Sequence, residues 1–398
     1  MKVVLVGYGS RGDVEPCVAV GRELLRRGHD VCMAVPPNML GFVESAGVAA
    51  VAYGPDSREE VNPATGLFRN LAATTQNPIS MLPQVLEHVT RVKAAKGATL
   101  TSLANGADLL VAGFNEQGLA ANVAEYYGIP LAVLHYFPAR IWSNGGLYSQ
   151  FTKQTDDAQR SALGLPEATG PSTSLEIQAY EEICLPGPAA GWVESDGRGR
   201  HFVGALTLES PGDADDEVLS WIAAGTPPIY FGFGSSPVVS PAETVAVISA
   251  ACMQLGERAL ICSGPNDFSQ VPRFDHVKVV GTVNHAAIFS ACRAVVHHGG
   301  AGTTAAGLRA GMPTLILWSW LDQPMWAAGV TRLEVGSGRE FLASTLDSLV
   351  ADLRTILTPR CVGRARAVAA QMSKPAESIA SAADLLEDNV SLARRQSR

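Results

Sequence analysis

The chain has 398 residues, and at about 150 residues per domain this length predicts two to three domains rather than one small module. Apolar residues make up 47% and charged residues 17% of the chain, a balance that favours folded cores and excludes global disorder. The formal net charge is −8 and Lys and Arg form no dense cluster, so we expect no nucleic acid partner.

The 7 cysteines are scattered and form no C-x-x-C pair, which favours buried, reduced thiols over a disulfide or zinc framework. The start, MKVVLVGYG, is too short an apolar run for a signal peptide, and no run approaches the roughly 20 apolar residues that span a bilayer. We therefore expect a cytoplasmic protein, although the mean hydropathy of +0.13 leaves room for an apolar cleft or peripheral membrane contact.

In the first half, short apolar runs alternate with stretches of helical periodicity, a pattern typical of a parallel sheet flanked by helices. The predicted strands are residues 2–6, 31–35, 48–53, 108–112 and 131–134. A helix over residues 117–127 is predicted to end at Gly128. The alternation lapses from about residue 137 to about residue 212, where Pro, Gly and Ser accumulate.

The alternation then restarts. Further strands are predicted at residues 229–233, 259–262, 278–280, 294–296 and 314–317. Helices are predicted at residues 242–255 and 378–387, and the basic end, ARRQSR, is expected to fray. The sequence thus predicts an α/β fold of two doubly wound, Rossmann-like domains. We place them at residues 1–206 and 218–375, with a linker at 207–217 and a C-terminal helix and tail at 376–398.

Ligands in such folds bind beyond the carboxyl ends of the strands. After the first strand, residues 7–12 formally match the dinucleotide motif G-x-G-x-x-G. Asp13 and Glu15 follow at once, however, and place negative charge where a pyrophosphate needs an electropositive helix start. Asp13, with Ser10 beside it, is therefore either a catalytic base or a helix cap.

A second glycine-rich segment, HHGGAGTT at residues 297–304, follows the strand at 294–296 and opens a helical stretch. The glycines let a ligand approach the backbone, the helix start favours an anion, and His298 and Thr303 add donors, so a diphosphate site is predicted here. The alternative is a tight turn with two satisfied histidines. Beyond the next strand, Asp322 and Gln323 either bond sugar hydroxyls or begin a helix.

Taken together, GSRGDVEP, VNHAAIF, VVHHGGAGTT and LDQP resemble the nucleotide-sugar glycosyltransferases of GT-B architecture. The likeness is to the actinobacterial branch that acts on glycopeptide antibiotics and mycobacterial glycopeptidolipids. It implies a donor in the C-terminal domain, an acceptor in the N-terminal domain and a reaction in the cleft between them. The implied reaction is an inverting transfer of a hexose or deoxyhexose from a TDP or UDP sugar to a hydroxyl of a lipopeptide, glycopeptide or other hydrophobic natural product.

The resemblance also implies roles for individual residues. Asp13 would be the general base, since the first loop contains no histidine, and Asp322 would act with it at the reacting sugar. The implied donor contacts are Ser10, Arg11, Ser235, Ser236, Val283, His298, Gly299, Gly300, Gly302, Thr303 and Gln323. No metal and no cofactor other than the nucleotide sugar as co-substrate is expected.

The acceptor side is less constrained by the sequence. His135, Phe137 and Trp142 are candidate acceptor contacts, and residues 66–81 are a candidate acceptor flap. His135 is also the alternative base. Two other classes of function remain: a nucleotide-sugar epimerase, which would consume donor without an acceptor, and a non-catalytic nucleotide-sugar-binding partner, which would release no nucleoside diphosphate.

Overall fold

The computed structural model describes residues 1–58, 82–138, 147–168, 174–185, 201–208, 215–319 and 322–396. The chain forms two compact units. The first comprises Met1–Ala179, Gly199–Leu208 and Pro375–Arg398, and the second comprises Tyr180–Arg198 and Glu209–Lys374.

In the first unit, the described residues form a parallel sheet of 7 strands in the order β3-β2-β1-β4-β5-β6-β7. These strands are β1 Lys2–Val6, β2 Asp30–Val35, β3 Ala49–Ala52, β4 Leu109–Gly113, β5 Leu131–His135, β6 Leu175–Gln178 and β7 His201–Phe202. The helices are α1 Arg11–Arg26, α2 Leu40–Ser45, α3 Leu82–Ala104, α4 Gln117–Tyr127, α5 Leu147–Ala162 and α13 Pro375–Gln396. The central strands are apolar at nearly every position because both faces of the sheet are covered.

In the second unit, the described residues form a parallel sheet of 6 strands in the order β10-β9-β8-β11-β12-β13. These strands are β8 Ile229–Gly232, β9 Ala259–Cys262, β10 Val277–Val280, β11 Ala294–His297, β12 Thr314–Trp318 and β13 Gly336–Glu340. The helices are α6 Asp215–Ala223, α7 Pro241–Leu255, α8 His285–Ile288, α9 Ala301–Arg309, α10 Gln323–Arg332, α11 Leu346–Ile356 and α12 Pro359–Ala369. Across the described ranges, no helix is both long enough and apolar enough to span a membrane.

The predicted architecture of two doubly wound, Rossmann-like domains is confirmed. Residues 117–127 form the predicted helix, and Gly128 ends it with a left-handed φ of 64°, which only glycine adopts without strain. The predicted strands also form, with ends that differ by at most one residue. Short apolar runs between glycine-rich turns were therefore a sufficient signal for the central strands.

Four elements differ from the sequence prediction. Strand β13 has the polar sequence GSGRE, and it pairs only with β12 at the edge of the sheet. Helix α5 and strand β6 lie in the region where the apolar alternation lapsed. The C-terminal helix runs to Gln396, so the prediction of a frayed end is wrong there, and Arg394 donates a hydrogen bond of 2.6 Å to Asp108.

The boundary between the two compact units differs from the predicted domain boundary at Tyr180–Cys184. This short segment belongs to the second unit, although the sequence placed it with the first domain. Glu181 pairs with Arg309 at 2.8 Å, and the Cys184 carbonyl packs so closely on Gly329 that a Cβ there would lie 2.5 Å from its oxygen. Contacts with α9 and α10 therefore hold the segment in the second unit.

The C-terminal helix α13 belongs to the first unit because it packs on α1. Arg27 Nη1 donates to Asp384 Oδ1 at 2.7 Å and to Glu387 Oε2 at 2.5 Å. His29 Nε2 lies 2.7 Å from the other oxygen of Glu387. Beneath these polar contacts, Leu386 lies fully buried in the same core as the inner face of α1.

Replacing Leu386 by alanine is expected to lower the free energy of unfolding of the first unit by about 2–5 kcal/mol, because the truncated side chain leaves a cavity. Hydrogen exchange of the β1 amides in increasing urea measures this free energy. The matched control is Leu392→Ala in the same helix, where the residue is 55% exposed and a change below about 0.5 kcal/mol is expected. Equal losses in the two variants would contradict the packing described.

Candidate active site

Each sheet reverses its strand order once, between β1 and β4 in the first unit and between β8 and β11 in the second. At such a point the connections from neighbouring strands leave toward opposite faces, so a crevice opens beyond their carboxyl ends. The loop before α1 and the turn Phe114–Glu116 meet at the first reversal. The loops after Gly232 and His297 meet at the second.

Asp13 lies at the first reversal, and its carboxylate is extensively hydrogen-bonded. Its Oδ2 accepts from the Ser10 backbone N–H at 2.6 Å and from the Ser10 hydroxyl at 2.9 Å. Its Oδ1 accepts from Asn115 Nδ2 at 3.3 Å, and the Tyr136 hydroxyl also donates to the carboxylate. Asp13 therefore does cap α1, as one of the two sequence interpretations held, and it does so within a cluster of donors from β1, β4 and β5 loops.

Burial raises the pKa of Asp13 above its ordinary value, and the hydrogen bonds from Ser10, Tyr136 and Asn115 act in the opposite direction without cancelling the effect of burial. Burial and the neighbouring Asp13 charge hold the pKa of Tyr136 well above its usual 10. Tyr136 is thus a hydroxyl donor at neutral pH. Neither Tyr136 nor Asn115 was singled out from the sequence, because no local motif links them to Asp13.

The glycine loop before α1 is filled by the protein's own carboxylate. Gly9 has a φ of 138°, and a Cβ at this position would lie 2.3 Å from Asp13 Oδ2. The carboxylate occupies the start of α1, where a bound phosphate would otherwise accept hydrogen bonds from the helix N–H groups. This arrangement argues against a dinucleotide site in spite of the G-x-G-x-x-G match.

Arg11 was predicted to contact the donor. Its Nε pairs with Glu15 at 2.6 Å, and its guanidinium lies over the Phe42 ring at 4.8 Å. The side chain is about half exposed, at 51%. The Arg11 side chain therefore contacts Glu15 of its own helix and Phe42 of α2.

His135, the alternative base, ends strand β5 and is buried, with 4% of its surface exposed. Its Nε2 lies 3.9 Å from a carboxylate oxygen of Glu176, and its ring is 5.6 Å from that of Phe114. The Phe137 ring also packs on Phe114, with 5.4 Å between the ring centres. Trp142 and the candidate flap at residues 66–81 lie outside the described residues.

At the second reversal the two histidines have different environments. His297 is the last residue of β11, is 1% exposed, and its Nδ1 accepts the Gly299 N–H at 3.0 Å. Burial also holds the pKa of His297 well below its ordinary value, so the imidazole is neutral. His297 therefore shapes the turn through Nδ1, as the alternative interpretation required, but its buried Nε2 has no hydrogen-bond partner in the described part of the chain.

The His298 ring lies against two glycines from neighbouring loops. A Cβ at Gly234 would lie 2.3 Å from His298 Cε1, and one at Gly300 would lie 2.8 Å from His298 Nε2. Burial lowers the pKa of His298 to about 4, so the ring is neutral at pH 7. Within the described part of the chain, its buried Nδ1 has no hydrogen-bond partner. A buried polar atom of this kind is available for a hydrogen bond to a ligand.

Helix α9 begins directly beside His298 without a side-chain cap. Its N-cap is Gly300, and the Thr304 hydroxyl donates to the Gly300 carbonyl at 2.9 Å. The N–H groups of the first turn, which includes Gly302 and Thr303, point out of the helix start and carry the positive end of its dipole. This helix start is chemically suited to bind an anion, in contrast to that of α1.

Asn266, which was not predicted, fixes the loop after β8. Its Oδ1 accepts from the Val238 N–H at 2.9 Å, and its Nδ2 donates to the carbonyls of Ser236 at 3.1 Å and Ser263 at 3.0 Å. Ser235 is exposed in the loop held this way. The only signal in the sequence was the turn-forming run GPND after the strand at 259–262.

Asp322 and Gln323 both carry hydrogen bonds within the second unit. Asp322 Oδ2 accepts from the indole N–H of Trp326 at 2.6 Å, and Gln323 Oε1 accepts from the Ser319 N–H at 2.8 Å. Gln323 is buried and packs on Gly299. A Cβ added at Gly299 would lie 3.0 Å from the Cβ of Gln323. The two side chains are therefore fixed in orientation next to the turn at Gly299.

Val283 lies after β10, and its side chain is buried in the core formed by α6 and β8. The next residue, Asn284, donates its N–H to Asp215 at 2.9 Å. Among the described residues, no group of at least 3 His, Cys, Asp or Glu side chains is arranged to hold a metal ion.

Comparisons with known proteins identify the fold and the family. Residues 3–133 match the glycosyltransferase family 28 N-terminal domain, and residues 259–392 match the erythromycin biosynthesis protein CIII-like C-terminal domain. The structure of the glycosyltransferase VinC in complex with dTDP has a TM-score of 0.66 at 17% identity, with 99% of this chain and 100% of that chain covered. At this identity the likeness supports the fold.

Two relatives cover almost the whole chain. A protein of Mycobacterium tuberculosis that bears the name uncharacterized glycosyltransferase is 56% identical over 421 residues, 99% of this chain and 100% of the relative. Vancomycin aglycone glucosyltransferase of Amycolatopsis orientalis is 30% identical over 420 residues, 98% of each chain. The chain therefore belongs to the GT-B glycosyltransferases, the family of vancomycin aglycone glucosyltransferase, and is an enzyme that transfers a sugar.

Proposed function

We propose that the protein transfers a hexose or deoxyhexose, with inversion, from a TDP or UDP sugar to a hydroxyl of a hydrophobic lipopeptide, glycopeptide or related natural product. The observation that carries this proposal is the uncapped start of α9 beside the neutral, half-buried His298. The names of two similar proteins, one acting on vancomycin aglycone and one crystallised with dTDP, support the acceptor and nucleotide classes.

In this proposal the first-turn N–H groups of α9 bind the diphosphate, and the His298 imidazole donates one further hydrogen bond as a neutral group. As the bond to the sugar breaks, charge grows on the leaving diphosphate, and fixed donors stabilise it without reorganising. Ser235 or Ser236 adds a hydroxyl donor, and the Val283 backbone forms a hydrogen bond with the pyrimidine base of the nucleotide. We infer that these groups suffice without a metal ion or further cofactor.

Asp322 and Gln323 would orient the donor sugar. Their hydrogen bonds to Trp326 and Ser319 fix both side chains before a sugar arrives, which lowers the cost of ordering them on binding. A carboxylate beside an amide can accept from and donate to neighbouring sugar hydroxyls. The arrangement therefore supports a role in sugar recognition.

Asp13 would act as the general base. The acceptor hydroxyl oxygen attacks the anomeric carbon, the bond from that carbon to the diphosphate oxygen breaks, and the hydroxyl proton passes to the Asp13 carboxylate. A single displacement of this kind inverts the anomeric configuration. Because Ser10 donates two short hydrogen bonds to Oδ2, whereas the contact of Asn115 with Oδ1 is longer, we assign proton acceptance to Oδ1.

A panel of TDP and UDP sugars crossed with hydrophobic acceptors, read by mass spectrometry, tests the function. We expect an acceptor whose mass grows by one sugar residue, together with an equal amount of nucleoside diphosphate. Donor consumption in the absence of any acceptor would instead indicate an epimerase or hydrolase. Donor binding without release of nucleoside diphosphate from any pair would indicate a non-catalytic binding protein.

Asp13→Asn is expected to lower kcat by about 100- to 10,000-fold while the donor KM stays nearly unchanged, because the amide keeps the shape of the carboxylate but cannot take the proton. Steady-state kinetics with varied donor and acceptor measure both constants. Asp30→Asn, at the exposed amino end of β2, is the matched control and should retain full turnover. If His135→Ala abolished turnover and Asp13→Asn did not, the base would be His135.

The affinity for an intact nucleotide sugar should stay constant within about 2-fold between about pH 5.5 and about pH 7.5, because a histidine with a pKa of about 4 is neutral throughout this range. Isothermal titration calorimetry measures this affinity, and the charge of the donor diphosphate does not change in the same interval. Affinity that rises as the pH falls through about 6.5, and loses that rise in His298→Ala, would show a cationic His298 instead.

A further inference from the structure

A buried ion pair lies next to the cluster around Asp13 and has no part in the mechanism proposed above. Lys96 of α3 and Glu116 of the turn before α4 are 6% and 3% exposed, and their Nζ and Oε1 atoms are 2.6 Å apart. The Tyr53 hydroxyl donates to the other Glu116 oxygen, Oε2, at 2.5 Å. Both oxygens of this carboxylate are therefore held from within the first unit, and neither residue is exposed enough to touch a substrate.

The Lys96 ammonium also contacts the glycine loop that precedes α1. It lies 3.6 Å from the centre of the Tyr8 ring and 5.1 Å from that of Tyr53. The Tyr8 hydroxyl donates to the Pro55 carbonyl at 3.2 Å. A cation over an aromatic face is attracted more strongly when it is desolvated, as this one is.

These contacts connect two segments that supply hydrogen bonds to Asp13. Tyr8 lies two residues before Ser10, which bonds Oδ2, and Glu116 directly follows Asn115, which bonds Oδ1. Asn115 is itself exposed, so its position depends on its neighbours in the turn. Lys96 thus bridges the loop after β1 and the turn after β4.

We propose that Lys96 and Glu116 are positioning residues for sugar transfer: their buried ion pair fixes the turn carrying Asn115 relative to the loop carrying Ser10, and so sets the hydrogen bonds of Asp13. The inference rests on the proposed role of Asp13 as the base. A buried ion pair is a poor source of stability, since an apolar pair of similar volume often serves as well. Its retention beside the base is explained by the geometry that it imposes.

The interpretation of the pH dependence of kcat/KM depends on the charged and titratable groups around these residues. Asp13 faces Tyr136 and Cys17, and Glu116 faces Tyr53 and Lys96. Burial raises the pKa values of both tyrosines and of the thiol, to about 12 for Cys17, so these three groups stay protonated at neutral pH and below.

One further carboxyl lies near this set. Burial also raises the pKa of Asp156, which pairs with Lys93 at 2.9 Å. Burial raises the pKa of both Asp13 and Asp156, so the titration of either carboxyl could shape the acidic limb of kcat/KM. Asp156→Asn distinguishes them, because it leaves the limb in place if the limb belongs to Asp13.

The test compares Glu116→Gln, Asn115→Ala and the double variant. We expect Glu116→Gln to lower kcat/KM for the acceptor by up to about 100-fold, the loss that a misplaced catalytic group can cause. We also expect the acidic limb of kcat/KM to move to higher pH, because the hydrogen bond that favours ionised Asp13 is lost, with the donor KM unchanged. Asn115→Ala should move the limb in the same direction, and the double variant should move it no further than the larger single shift.

Two further variants keep the test decisive. Lys96→Met combined with Glu116→Gln leaves no unpaired buried charge, and it carries the same prediction if Glu116→Gln alone fails to fold. Glu125→Gln removes an ion pair with Arg160 in which the carboxylate is 49% exposed, and it should leave the limb unchanged.

The inference is overturned if folded Glu116→Gln or the paired variant loses thermal stability but keeps the wild-type acidic limb, since a purely structural role would act in that way. It is also overturned if the shifts of Glu116→Gln and Asn115→Ala add fully in the double variant. Failure of the proposed function has a different signature: Asp13→Asn would then retain turnover, and the assignment of the base would fall together with this inference.

Discussion

The reversal of strand order beside the first strand of each parallel sheet is the constraint on which the rest of this structure depends. In the first sheet, between β1 and β4, it brings together loops from distant parts of the sequence. In the second sheet it does the same between β8 and β11. Asp13 and Asn115 are about a hundred positions apart in the chain, yet their side chains are hydrogen-bonded. The same geometry places His298 against Gly234.

The two units use the same kind of glycine-rich helix start for opposite purposes. At α1, the Asp13 carboxylate accepts the Ser10 N–H and fills the place of an anion. At α9, Gly300 leaves the first turn without a side-chain cap, beside a neutral histidine whose Nδ1 has no partner in the described residues. A buried carboxylate is suited to accept a proton and an open helix start is suited to hold a diphosphate, so the proposed roles of base and donor site fall to different helix starts.

Sequence patterns predicted those features that depend on residues close together in the chain. Apolar runs marked the central strands and Gly128 marked the end of α4, and the glycines before α9 support the anion site that we propose there. The polar edge strand β13 carries no such pattern, because it is held by pairing with β12, by packing of Gly338 on Ala327 and by the ion pair of Arg339 with Asp352. Tyr136, Asn266 and Lys96 act through contacts with residues far away in sequence, which no spacing rule encodes. Family membership then favours transfer over the epimerase and binding-protein alternatives.

The most direct test of this division of roles is a crystal structure of the protein with bound TDP. The account predicts that the diphosphate oxygens lie within hydrogen-bond distance of the first-turn N–H groups of α9 and of His298, while Asp13 keeps its bonds to Ser10. A diphosphate bound instead at the start of α1, with the Asp13 carboxylate displaced from Ser10, would contradict it.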